Sequence, residues 1–317
     1  MMTYAFIFPG QGSQSVGMGK DLYDSFAEAR DVFEEIDDAL NQKLSQLIFE
    51  GPESDLNLTE NTQPALMAVS MATMAVLKRQ GGINLAEHCA FVAGHSLGEY
   101  SALTAAGSFT LADTAKLLKL RGQAMQKAVP VGQGAMAAIL GLEFDAVEAI
   151  AAQASANGEV CAAANDNSPG QVVVSGHKEA VERAVALATE QGAKRAVLLP
   201  VSAPFHCSLM APAAEAMHEA LAQTPVQAPC VPVVSNVTAN KENDPDRIRD
   251  LLVQQVTSMV RWRESVLWMA GQGVTEMVEI GAGKVLSGLV RRIDKTVNCD
   301  SVGTPETLEA LIKKLKG

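Results

Sequence analysis

Ala90-Phe91-Val92-Ala93-Gly94-His95-Ser96-Leu97-Gly98 decides the fold. The first four residues are an apolar run of strand length, and the residues after Gly98 carry a helical pattern that fades near Gly107. Between them lies G-x-S-x-G, a turn in which two glycines let the backbone reverse sharply and present Ser96 at the strand end. The helix opening after Ser96 has free N–H groups, so the N–H of Leu97 is placed to stabilise an oxyanion. The competing reading is a glycine-lined turn that happens to hold a serine. The strand before and the helix after favour a nucleophile.

The same strand–helix alternation runs along the chain, which predicts an α/β fold with a mostly parallel sheet. Residues 4–8 form a first strand that enters the turn Pro9-Gly10-Gln11-Gly12-Ser13-Gln14. Helices are expected over 63–79 and, with Thr110 and Asp113 as an N-terminal cap, to about Lys127. Strands at 232–236 and 277–280 and helices over 246–256, 263–272 and 285–293 continue the pattern. The stretch 134–200 has its own rhythm. Strands at 135–140, 160–164, 171–175 and 196–199 and helices over 145–156 and 178–191 give the order β-α-β-β-α-β, the ferredoxin-like split motif. A turn is expected over 165–170. This predicts a small subdomain at 131–200 inserted into a core made of 1–130 and 201–317.

The glycine turns are not nucleotide loops. Gly10-Gln11-Gly12 has neither the G-x-G-x-x-G spacing nor a following G-K-[ST], and Gly281-Ala282-Gly283-Lys284 also lacks the phosphate-loop pattern. Both suit close backbone approach. An exposed N–H at Gln11 could form the second half of an oxyanion hole.

Of 317 residues, 48% are apolar and 19% charged, enough for a sizeable core. The formal net charge of −11 argues against general nucleic-acid binding, which needs a basic footprint. Five scattered cysteines without a C-x-x-C pair indicate a reduced, cytoplasmic setting with neither a disulfide framework nor a metal site. The apolar run 4–8 is too short for a signal peptide or a membrane span, so no membrane partner is expected.

A serine hydroxyl needs a base. Among five histidines, His206 follows the last strand of the insert, at a strand end where α/β sheets place catalytic groups, and is the best candidate by elimination. Arg121 is the most telling single residue. On a helix over 111–127, Thr114, Leu117, Leu118, Ala124, Met125 and Ala128 all fall within roughly 60° of it. A guanidinium on an apolar face needs either an internal carboxylate or a substrate anion. The second alternative, a bidentate grip on a carboxylate, would select a dicarboxylic acyl group. Gln255 likewise shares a face with Ile248, Leu251 and Leu252, and should have a polar partner. It is either structural or an orienter of a histidine.

Taken together, Phe8-Pro9-Gly10-Gln11-Gly12-Ser13-Gln14, Gly94-His95-Ser96-Leu97-Gly98-Glu99-Tyr100-Ser101-Ala102, Arg121-Gly122, Asn167-Ser168-Pro169-Gly170-Gln171 and Gly281-Ala282-Gly283-Lys284-Val285-Leu286 resemble the malonyl-CoA:acyl-carrier-protein transacylase family over nearly the whole chain. The resemblance implies a hydrolase-like core with a ferredoxin-like insert. It implies a malonyl ester on Ser96, His206 as base and then acid, and the backbone carbonyl of Gln255, seven residues before Trp262, orienting the histidine. The N–H groups of Gln11 and Leu97 would line the oxyanion hole, Arg121 would bind the malonyl carboxylate, and Met125 and Asn167 match pocket positions. One departure is local: Thr257-Ser258-Met259-Val260, before Arg261-Trp262, lacks the proline expected of relatives.

The implied substrates are malonyl-CoA and acyl carrier protein. Coenzyme A thioester is a substrate, so no cofactor is expected. A basic docking patch for an acidic carrier would draw on Arg261, Arg263, Lys284, Arg291, Arg292 and Lys295, each equally readable as an ordinary solvated charge. Two other classes compete: a serine esterase or thioesterase, which would need an acid such as Asp113, Asp145 or Asp166, and a non-catalytic acyl-CoA or carrier-protein binding module.

Overall fold

The computed structural model describes residues 3–156, 158–201 and 203–316; Ser202, four positions before His206 in sequence, lies outside them. Strands β1 (Tyr4–Phe8), β2 (Phe91–Gly94), β7 (Val233–Val234), β8 (Lys241–Glu242), β9 (Glu276–Ile280) and β10 (Asn298–Val302) form one six-stranded sheet in the order β10-β9-β1-β2-β7-β8. Every pairing is parallel except that of β7 with β8. Side chains alternate across the sheet as strand geometry requires. Phe6 and Phe8 of β1 face the core that contains the buried helix Thr59–Arg79. Ala5 and Ile7 face the opposite core, with Trp262, Val266, Leu286 and Leu289 from the helices Trp262–Gly271 and Val285–Ile293. Helices therefore cover both faces, as expected of a mostly parallel sheet. Among the described residues, no helix is long and apolar enough to cross a membrane.

A second sheet joins β3 (Gly134–Leu140), β4 (Cys161–Ser168), β5 (Gln171–His177) and β6 (Arg195–Leu198) in the antiparallel order β4-β5-β3-β6. One face packs Ala137, Ile139, Val172 and Val174 against the helices Phe144–Ala154 and Lys178–Glu190. The other face contributes Met136 and Val173 to the core of the large sheet. The small sheet thus roofs the large one.

Two readings change. The expected turn over 165–170 is a strand for most of its length, because β4 runs on to Ser168 with irregular register at Ala163/Asn165 and Asp166/Ser168. The polar run Asn165-Asp166-Asn167 imitates turn chemistry, but its groups find tertiary partners. Asp166 N donates to Val260 O, Val260 N donates to Ala164 O, and the buried Asp166 carboxylate pairs with Arg263. Only Pro169-Gly170 turns, with Gly170 at φ 68°. The strand expected over 232–236 shrinks to Val233–Val234 because Asn236 leaves the ladder to bond the elbow. The helix Ala211–Gln223, strand β10 and the helix Pro305–Lys316 were not anticipated.

Register brings the elbow beside the first turn. Phe8 pairs with Gly94, and a Cβ on Gly98 would come within 2.3 Å of Phe8 O. Gly98→Ala is therefore expected to cost about 3 kcal/mol of stability in urea unfolding, as backbone cannot yield like a side-chain tip. Gly271→Ala, with nothing within 4 Å of its Cβ, should stay within about 0.5 kcal/mol of the parent.

Candidate active site

Ser96 sits between β2 and the helix Leu97–Ala105 at φ 53°, ψ −111°, a conformation that L-residues adopt only under constraint. Asn236 supplies much of that constraint. Its Oδ1 accepts from Ser96 N at 2.7 Å and its Nδ2 donates to Gly94 O at 2.7 Å. The turn also needs Gly94, because a Cβ there would lie 1.9 Å from the Gly98 carbonyl.

The Ser96 Oγ lies 2.8 Å from His206 Nε2. His206, itself at φ 58°, has its Nδ1 at 2.9 Å from Gln255 O and 3.1 Å from Ser258 O. Carbonyl oxygens only accept, so the hydrogen-bond network assigns the proton to Nδ1. Nε2 then faces the serine with a lone pair, the geometry of a general base. Burial, and then the positive charge of Arg121, push the imidazole pKa down to about 3, so it stays neutral in ordinary buffers.

Arg121 is 1% exposed. Its Nη1 donates to Gln63 Oε1 at 2.7 Å, and its Nη2 to Gln255 Oε1 at 2.9 Å and Ser96 Oγ at 3.2 Å. Among the described residues its Nε has no partner, and the guanidinium lies 5.7 Å from the centre of the Tyr100 ring. Its direct partners are neutral oxygens, so the internal carboxylate weighed as one explanation does not pair with it directly. Burial lowers its pKa.

Gln255 does two things at once. Its backbone carbonyl receives His206, while its side-chain Nε2 donates to Glu99 Oε2 at 2.8 Å and Ser96 O at 3.1 Å. Gln11, Leu97 and Met125 line a small cavity of about 110 Å³ at Ser96, together with Met136 and Phe205. The backbone N–H groups of Gln11 and Leu97 carry no hydrogen bond among the described residues. Asn167 does not line the cavity; its Oδ1 meets His95 Nε2 at 2.8 Å, and Asn165 takes the wall position. A wider groove of about 820 Å³ beside the 281–284 turn holds no serine–histidine pair.

Asp113 is occupied in capping its helix with Thr110, Asp166 binds Arg263, and Asp145 is exposed at the start of the helix Phe144–Ala154. None of the three orients His206. Of the basic residues singled out, Arg261 pairs with Glu264 and Arg263 with Asp166, Arg292 bonds Gln171, and Arg291 bonds the Cys299 carbonyl. Sequence reasoning passed over Gln63, Glu99, Asn165 and Asn236. The buried-polar logic that singled out Arg121 also applies to Glu99, which lies in a helix with an almost wholly buried first two turns.

Nitrogen-detected NMR should find His206 neutral, protonated on Nδ1 and not titrating between about pH 5 and pH 8. Below about pH 6.5 the unfolded chain binds a proton on this histidine that the folded chain refuses, so this contribution to stability shrinks as pH falls toward about 3. A His206→Gln protein should show a shallower loss of thermal stability across that range.

An acyl transferase domain model matches residues 5–314. The chain is 49% identical over 313 residues to the malonyl CoA-acyl carrier protein transacylase of Escherichia coli (strain K12), covering 99% of this chain and 100% of that one. It is 46% identical over 316 residues to the protein of the same name from Bacillus subtilis (strain 168), covering 100% and 98%. The crystal structure of an acyl-carrier-protein-S-malonyltransferase from Bartonella henselae superposes with a TM-score of 0.97 at 57% identity, over 100% of both chains. A structure of a type II PKS acyl-carrier protein in complex with its malonyl-transacylase matches with a TM-score of 0.95 at 42% identity, over 98% and 99%.

Proposed function

This chain belongs to the malonyl-CoA:acyl-carrier-protein transacylase family, and from that premise we propose that it works by a ping-pong transfer through an ester on Ser96. It is an acyltransferase that moves a malonyl group from coenzyme A to acyl carrier protein, a step that supplies fatty-acid synthesis. One observation carries the mechanism: the same Ser96 Oγ is within hydrogen-bond distance of the neutral His206 Nε2 and of the buried Arg121 guanidinium.

In the first half, His206 Nε2 takes the Ser96 proton as Oγ attacks the thioester carbonyl. The N–H groups of Gln11 and Leu97 receive the developing oxyanion. The C–S bond then breaks, and the departing thiolate takes the proton from the imidazolium. In the second half, the carrier's phosphopantetheine thiol yields its proton to His206 and attacks the ester. Ser96 leaves and recovers the proton. The Gln255 carbonyl holds the imidazole in the required tautomer throughout. The guanidinium is within reach of a malonyl ester on Ser96, where it would grip the free carboxylate. Met125 shapes the pocket, and Asn167 acts on it through His95. This chemistry requires no cofactor and no metal.

We read residues 131–200 as a ferredoxin-like subdomain inserted in a hydrolase-like core of 1–130 and 201–317. The β-α-β-β-α-β element order and the antiparallel small sheet support that reading. A reduced cytoplasmic setting is in keeping with five unpaired cysteines.

Intact-protein mass after brief mixing with malonyl-CoA or acetyl-CoA tests the proposal. The parent should gain a single malonyl group that discharges onto carrier protein faster than onto water. Ser96→Ala should gain none, and His206→Ala should acylate about 10²–10⁴-fold more slowly. Arg121→Ala should lose at least about tenfold of its preference for malonyl over acetyl. An adduct that water removes equally fast with or without carrier would point to a hydrolase. Binding of malonyl-CoA without any adduct would point to a binding module.

A further inference from the structure

Among the described residues, Glu99 is the one carboxylate in the network around the elbow, and the proposed mechanism does not use it. It is 2% exposed, and its Oε2 accepts from Asn236 N at 3.0 Å and from Gln255 Nε2 at 2.8 Å. The other end of the Gln255 amide, Oε1, accepts from Arg121 Nη2. The carboxylate and the guanidinium are therefore the two ends of one relay, with a neutral amide between them. Because Glu99 can only accept when ionised, it also holds the amide in the orientation that turns oxygen toward Arg121.

We propose that Glu99 sets how strongly the site prefers a dicarboxylic acyl group: as a carboxylate it shares the charge of Arg121 through the Gln255 amide, and on taking a proton it leaves that charge to the substrate. This rests on the reading that Arg121 binds the malonyl carboxylate. Glu99 touches no reacting atom and is a positioning residue.

Like charges would meet here in a buried site. A malonyl carboxylate at Arg121 places a second anion near Glu99, and two buried anions sharing one cation favour protonation of the one that can accept it. Burial already raises the Glu99 pKa to about 7, against the lowering effects of Asn236 N, Gln255 and Arg121. Protonation by linkage then binds malonyl more tightly, and the sign is fixed: preference for malonyl rises as pH falls through about 7.

Among the titratable groups facing this cluster, Tyr100 and His206 stay out of that window. Arg121, from the helix Leu111–Lys127, remains charged. Tyr100, on the same helix as Glu99, is pushed up to about 12. His206 is held down at about 3, and burial lowers His95 in the elbow. Ser235, Asn236 and Gln255 carry no charge. Phosphate titration in coenzyme A is common to both thioesters and cancels in their ratio.

The test is the ratio of second-order acylation rate constants for malonyl-CoA and acetyl-CoA, by rapid quench and intact mass, from about pH 5.5 to about pH 8.5. For the parent the ratio should rise about three- to tenfold as pH falls through about 7. For Glu99→Gln, which keeps the shape and an accepting oxygen, the ratio should be flat with pH and equal to the parent's low-pH value. A merely structural Glu99 would leave the parent ratio flat with pH, and that result overturns the proposal. So would a Glu99→Gln protein that keeps the parent's pH dependence.

Should Glu99→Gln fail to fold, calorimetry on Ser96→Ala in buffers of different ionisation enthalpy decides the matter. Malonyl-CoA should bring proton uptake of a fraction of one equivalent at about pH 7.5, beyond any seen with acetyl-CoA. Equal uptake with both thioesters overturns the proposal. Failure of the parent to form an Arg121-dependent malonyl adduct would sink the functional reading itself. An Arg121-dependent adduct with a pH-flat ratio would sink only the role of Glu99.

Discussion

The left-handed backbone at Ser96 is the constraint on which the rest of the structure depends. A serine at φ 53° is strained by roughly 1–3 kcal/mol and persists only if its surroundings hold it. Here they do so from several directions. Gly94 and Gly98 approach each other too closely for any side chain, Gly98 presses on Phe8 O, and Gly10 would place a Cβ 2.6 Å from His95 O. Asn236 then ties both sides of the turn together. The parallel register of β1 with β2 makes these contacts possible, and the same register carries the turn after β1, with Gln11, alongside the serine.

Charge is managed with comparable economy. A buried guanidinium ordinarily demands a carboxylate beside it, at a desolvation cost that the pair only partly recovers. Arg121 is met by the amide oxygens of Gln63 and Gln255, which accept from Nη1 and Nη2 without neutralising it. The same logic explains why a backbone carbonyl, not an aspartate, receives His206 Nδ1. In the proposed mechanism, an anion at that position would compete with a substrate carboxylate for the guanidinium. A neutral acceptor fixes the tautomer and leaves the positive charge available. Burial, and then the nearby cation, keep the imidazole weakly basic against the raising effect of that carbonyl.

Much of this was legible in the chain because it obeys local rules. The elbow combines a strand, two glycines and a helix start in nine residues, and the Thr110–Asp113 cap stands as its spacing implies. Arg121 announced itself as a cation on an apolar stripe. What failed to show was polarity used at long range. Asn165-Asp166-Asn167 has turn-forming composition, yet lies in a strand because Val260 and Arg263, about a hundred residues on, supply its partners. Asn236 reads as the end of a strand, while its side chain serves the elbow. No window of sequence contains both ends of such a bond, whereas Arg121 and Gln255 are found in advance because helical periodicity betrays their burial.

That long-range polarity also explains why the cavity has a definite size. Its floor belongs to the large sheet and its roof to the small one, and two packed bodies could slide if only apolar surface joined them. They are pinned instead by the Asp166–Arg263 ion pair, the backbone exchange between 164–166 and Val260, and the His95–Asn167 hydrogen bond. Each has a preferred length and direction, as apolar contact does not. The pins lie on β4 and on the elbow itself, so they act at the cavity wall and not at a remote hinge. Asn167 therefore contributes to the shape of the pocket without lining it. In the proposed mechanism, a short acyl chain would meet walls pinned relative to the buried Arg121.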